Sequence, residues 1–170
     1  MPDPRRIRFE RLTLHLDKDL YHAALAMAGD ETDAMDLVLE TYLRAYRAFH
    51  TYRTDENIKG WLFIILRNAY MDLCRKRRLQ PVFHDHLDDS PAPPAESGPL
   101  EELLPDDLAR ALNALSRPHR LLVLLADVER LSYKEIAEIT DRPIGSVMSG
   151  LHNARNRLRA QLERAKAAKP

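Results

Sequence analysis

A chain of 170 residues, 45% hydrophobic and 31% charged, suits one soluble globular domain or two small ones. Its single cysteine, Cys74, excludes an internal disulfide and fits a reducing compartment. The net charge is zero, yet Lys/Arg against Asp/Glu count 14 to 12 over residues 1–79, 1 to 8 over 80–115 and 11 to 6 over 116–170. That gives +2, −7 and +5, so an acidic middle masks a basic C-terminal unit.

The N-terminus from Met1 to Arg6 lacks the apolar core of a signal peptide, and no apolar run approaches membrane-spanning length. A cytoplasmic protein with no membrane insertion is therefore expected. Five glycines and few β-branched runs argue against a sheet, so the expected fold is all-α, with two small helical domains. The first domain is placed at 10–79.

Within it, Leu12, Leu16, Leu20, Ala24 and Met27 form a helical stripe that stops at Gly29. Thr32 is the expected N-cap of a second helix reaching Phe49, with Asp33 and Asp36 at its positive end. That helix has two apolar faces. Leu37, Val38, Thr41, Ala45 and Ala48 lie on one, and Leu39, Tyr42, Leu43 and Tyr46 on the other; Asp36, Glu40, Arg44 and Arg47 run between them. A polar loop spans His50 to Lys59. A third helix, Trp61 to Arg78, carries Trp61, Ile64, Ile65, Asn68, Ala69 and Asp72 along one side and ends in four consecutive cations. Trp61 reads as core.

Residues 80–105 hold six prolines and six acids with few large apolar groups, the composition of a flexible linker. His84, Asp85, His86, Asp88 and Asp89 have the residue types of a metal cluster, but such a tract offers no fixed geometry, so no metal and no cofactor is expected.

Over 106–170, Leu131 to Thr140 reads as a short helix with Ile136, Ala137 and Ile139 inward, broken at Asp141-Arg142-Pro143. A second helix restarts near Gly145 and Ser146, with Val147, Leu151, Ala154 and Leu158 at helical spacing. Its outer face carries Ser149, His152, Asn153, Arg155, Asn156 and Arg159. Two helices around a tight turn make a helix-turn-helix, whose second helix enters the DNA major groove.

Residues 36–49 and 61–68 resemble region 2 of the extracytoplasmic-function (ECF) sigma factors, and residues 131–139 with 144–149 resemble their region 4. Order and spacer match too, so the likeness covers Tyr21 to Leu162. The resemblance implies a dissociable initiation subunit, monomeric when free, whose partners are core RNA polymerase, the −35 and −10 elements of promoter DNA, and an anti-sigma factor. On the family pattern Asp36, Leu39, Glu40, Leu43 and Tyr46 face polymerase. Asn57, Lys59, Asn68, Asp72 and Arg75 fall where a flipped −10 base is held, the loop closing over the same spot as Asn68 and Asp72. Ser146, Ser149, His152, Asn153, Arg155 and Arg159 fall on the −35 helix. The linker is expected to thread through the polymerase. Leu39 stands where glutamine is usual, and Met148, Gly150 and Asn153 where Lys or Arg is common. The 147–152 run and Glu56 to Trp61 look most like the thiol-stress subgroup, whose partners are zinc-binding anti-sigma proteins.

The alternative from another class is a homodimeric helix-turn-helix regulator, with the second apolar face of helix 32–49 as its dimer seam. No phosphate loop, Ser/His/Asp arrangement or zinc spacing is present in the sequence, so an enzyme is not expected, and Cys74 reads as inert packing.

Overall fold

The computed structural model describes residues 1–84 and 105–168, and among these every regular element is helical. Helix α1, Pro4–Thr13, begins with Asp3 capping the Arg5 N–H and Pro4 in the first turn. It was not legible as a helix, because only Phe9 and Thr13 of its residues are buried and it has no apolar stripe. A 3₁₀ turn, Leu14–Leu16, leads into α2, Asp17–Ala28, so the expected single helix from Leu12 is broken in two. Gly29 ends α2 at φ 72°, in the left-handed region where a side chain is strained.

Helix α3, Glu31–Arg47, is capped by Asp30 rather than Thr32: the Asp30 carboxylate accepts the Asp33 N–H at 2.9 Å. It buries Ala34, Leu37, Thr41 and Ala45, one of the two faces read from the sequence. Helix α4, Ile58–Arg77, starts three residues before Trp61 because Asn57 caps the Lys59 N–H. Its buried face is Leu62, Phe63, Leu66, Ala69, Tyr70 and Cys74, not the Trp61–Ile64–Asn68 side. Trp61 is half-buried, packed beside Tyr52 and Phe49. Asp33 and Arg77 tie α3 to the end of α4 through two hydrogen bonds, which hold the Asp33 carboxyl below the usual carboxylate range.

Ordered packing continues past residue 79, where the first domain was expected to end. Val82–His84 form a 3₁₀ turn in which Val82 and Phe83 are buried, and the Tyr70 hydroxyl accepts the Val82 N–H at 2.9 Å. The His84 ring packs edge-on against Phe83; the other members of the candidate metal cluster and the acidic tract lie outside the described residues.

The C-terminal part holds α5, Asp106–Asn113; α6, Arg117–Val123, which runs into a π turn, Leu124–Val128; α7, Tyr133–Thr140; and α8, Ile144–Ala167. Ser132 and Glu135 form a reciprocal capping box at the start of α7, and Asp141 ends it at φ 53°. Pro143 then forces the turn into α8. Val147, Leu151 and Ala154 anchor α8, so the helix-turn-helix is present as read.

The two parts are not held apart. Leu20, Phe63, Leu66 and Phe83 from the first share one continuous buried cluster with Leu121, Leu125, Ile136, Ile139 and Val147 from the second. Burial of this apolar seam is the main force closing the molecule. Arg117 of α6 reinforces it by donating to the Met27 carbonyl, which satisfies an orphan acceptor at the negative end of α2. No helix among the described residues is long and apolar enough to cross a membrane.

Candidate nucleic-acid interface

On α3 the second apolar face remains uncovered in part. Leu39 and Leu43 are 62% and 46% exposed, and Asp36 stands exposed beside them. Shallow depressions flank this ridge, one of about 600 Å³ lined by Tyr21, Met35 and Leu39, the other of about 520 Å³ lined by Leu14, Leu43 and Tyr46. Met35, 65% exposed, extends the ridge by one turn and follows from the i, i+4 repeat; Leu14 joins it from the 3₁₀ turn after α1. Tyr46 is partly covered, since α1 lays Phe9 edge-on against its ring and Arg5 over its face. Glu40 is held by Arg44 at 2.9 Å. Tyr42 donates to the Thr13 carbonyl at 3.1 Å, and burial pushes its phenol up to about 12.

The candidate −10 residues do not converge. Asn57 and Asn68 are eleven residues apart along α4, about 16 Å at a helical rise, so the loop cannot close over Asn68 and Asp72. Asn68 is exposed and accepts from Arg67 at 3.2 Å. Asp72 is committed to Arg44 at 2.8 Å and to Arg75, and both cations hold its carboxyl below the usual range. Its acceptors are satisfied within the fold, which leaves Asn68 as the open member of that pair.

Asn57 and Lys59 face the other domain instead. Asn57 donates through Nδ2 to Glu135 Oε2 at 3.1 Å, and a Cβ on Gly60 would overlap that same carboxylate oxygen. Glycine at 60 therefore leaves room for the Glu135 carboxylate against α4. Lys59 Nζ lies 3.2 Å from Glu129 and 3.6 Å from Asp19. The Glu129 side chain has no solvent exposure, and Arg67 reaches Asp141 at 3.8 Å. Carboxylates of the C-terminal part thus occupy the amide and the ammonium assigned to DNA.

Burial pushes the Glu129 carboxyl up, the neighbouring Asp19 adds to this, and Lys59 opposes it. A folded value above the unfolded one contributes stability at low pH that is lost as pH rises through it. Glu129→Gln removes that dependence. The melting temperature of the wild type should therefore fall relative to the variant as pH is raised from 4.5 to 7.5, in scans of both proteins across that range. A constant gap would show that Glu129 does not titrate with folding.

Along α8, the exposed stripe is Gly145, Met148, Ser149, His152, Asn156 and Arg159. Ser146 and Asn153 are half-buried at its edges. Arg155, half-exposed, holds Asp127 through two nitrogens at 2.8 and 3.1 Å with Tyr133 beside it. It braces α8 against the π turn rather than projecting to a ligand. Cys74 is buried at the far side of α4.

A family model of sigma-70 region 2 matches residues 12–80, and one of sigma-70 region 4 matches residues 106–158. The chain is 34% identical over 161 residues to the ECF RNA polymerase sigma factor SigE of Mycolicibacterium smegmatis, covering 90% of this chain but spanning only 60% of that relative. It is 32% identical over 147 residues to the ECF RNA polymerase sigma factor SigM of Bacillus subtilis, covering 86% of this chain and 90% of SigM. Among solved structures, the sigma factor RpoE of Bartonella quintana, in complex with the anti-sigma factor NepR, matches with a TM-score of 0.66 at 32% identity. That match covers 92% of this chain and 97% of the other. With both region models in order and SigM matched over nearly its whole length, the chain belongs to the ECF RNA polymerase sigma factor family.

Proposed function

We propose that this chain carries core RNA polymerase to promoters, with α3 as the polymerase face, α4 as the −10 reader and α8 as the −35 reader. The observation that carries this reading is the exposed ridge of Leu39 and Leu43, edged by acids, on a helix whose opposite face is core. Such a face suits a partner helix with apolar and basic groups. The closed packing is the resting form. Asn57 and Lys59 meet DNA only after the C-terminal part leaves α4, and an anti-sigma factor, such as the one in complex with the RpoE relative, would keep the chain inactive by favouring the closed form.

Run-off transcription with purified core polymerase on genomic promoter fragments tests the reading. A protein that instead binds a palindromic site unaided, as a dimer, would be the conventional regulator. On mapped promoters, His152→Ala should change which −35 variants are preferred, because His152 sits in the centre of the exposed stripe. Arg159→Ala should weaken all sequences alike and flatten the salt dependence by about one counterion. Uniform loss for both would remove His152 from base reading.

A further inference from the structure

Helix α8 opens with two exposed apolar side chains, Ile144 at 46% and Met148 at 52%, one turn apart on the same side. They continue directly into the stripe that carries Ser149 and His152. A solvated recognition helix has no need of large apolar groups there, and the polar groups around them are turned to other partners. The Ser149 hydroxyl donates to the backbone, with the carbonyls of Gly145 and Ser146 at 3.1 and 3.3 Å, and Asn156 is bonded to His152 at 3.2 Å. Between the two, Gly145 has no heavy atom within 4 Å of where a Cβ would stand, so nothing holds a neighbouring surface off.

We propose that Ile144 and Met148 recognise the 5-methyl group of a thymine in the −35 element, with Met148 setting the preference. The inference rests on α8 being the −35 helix. In that position the first turns of the helix face base edges, and the thymine methyl is the one apolar group the four bases present in the major groove. Thymine recognition needs no hydrogen bond from this turn, which fits a helix that lacks Lys or Arg at position 148.

The test uses holoenzyme reconstituted from the full chain and core polymerase. A −35 element is selected from randomised duplexes, and each of its thymines is replaced singly by deoxyuridine, which removes the methyl alone. The wild type should lose about fourfold in affinity at one thymine, the worth of one buried methyl. Met148→Ala should bind the thymine duplex more weakly and show a clearly smaller loss on deoxyuridine, the remainder coming from Ile144, while Met148→Leu keeps the full methyl dependence. Met148 is exposed, so neither variant disturbs the core. No penalty at any thymine, or an equal penalty in wild type and Met148→Ala, overturns the proposal while leaving α8 as the −35 helix. A scrambled −35 element that binds as well as the selected one overturns both.

Discussion

Leu43→Glu is expected to abolish co-purification with core polymerase and to leave the free protein folded. Leu43 is 46% exposed in the isolated chain, so a glutamate there stays hydrated until a partner covers it. On docking, the new carboxylate would replace an apolar contact at the centre of the ridge, beside Asp36 and Glu40, with Arg47 one turn on as the nearest cation not already paired with Glu40 and Asp72. Desolvating a charge in an apolar contact costs several kcal/mol even with a cation at its edge, and about 3 kcal/mol weakens binding by roughly a hundredfold. The melting temperature should be unchanged and promoter-directed transcription lost. Leu39→Glu, one turn away and more exposed, should behave alike. Wild-type recovery of core polymerase by the folded Leu43→Glu protein would mean that α3 presents this ridge to something else.

The helix-turn-helix and the two faces of α3 were legible because each rests on local rules: 3.6-residue periodicity, a capping box and a proline stop. Helix α1 was not, since a basic segment whose apolar groups are Ile7, Phe9 and Leu12 shows no stripe, and only Asp3 and Pro4 signal its start. The site was harder. Spacing along α4 correctly puts Asn68 and Asp72 on one side, but it does not reveal that Arg44 from α3 and Arg75 already fill the Asp72 acceptors. Likewise Arg155 looks like a DNA contact in any one-dimensional reading, and only the packing of the π turn brings Asp127 to it. The closure of the two domains has no local signature at all. Leucines 121, 122, 124 and 125 are a plain apolar run, and nothing in the chain says that part of that surface belongs to α2 and the turn at Val82–His84. Long-range ion pairs and shared cores are properties of the tertiary arrangement, not of any window of sequence.

On the proposed reading Lys59 both closes the molecule and meets the −10 DNA, and a charge exchange separates the two. Lys59→Glu would set three carboxylates, those of residues 19, 59 and 129, against one another where the Glu129 side chain has no solvent exposure. Like charges around a buried carboxylate repel more strongly than in open solvent, because water reaches them only from one side. The apolar seam then has to hold against that repulsion, so the domains should separate more readily. The expected result is a larger radius of gyration in solution scattering and a melting temperature lower by several degrees. Promoter melting, followed by permanganate footprinting across the −10 region, should also fail, because the new glutamate faces phosphate and base edges with the wrong sign. Adding Glu129→Lys restores one cation between two carboxylates, now Asp19 and residue 59, so compactness and thermal stability should return toward wild type. Melting should not return, since the cation at position 59 is still missing from the DNA face. If the double variant opens promoters as the wild type does, Lys59 serves only the closed seam and −10 reading falls to Asn68 and Asn57. If Lys59→Glu alone stays as compact as the wild type, the apolar cluster suffices to close the molecule, and the ion pair is a passenger in it.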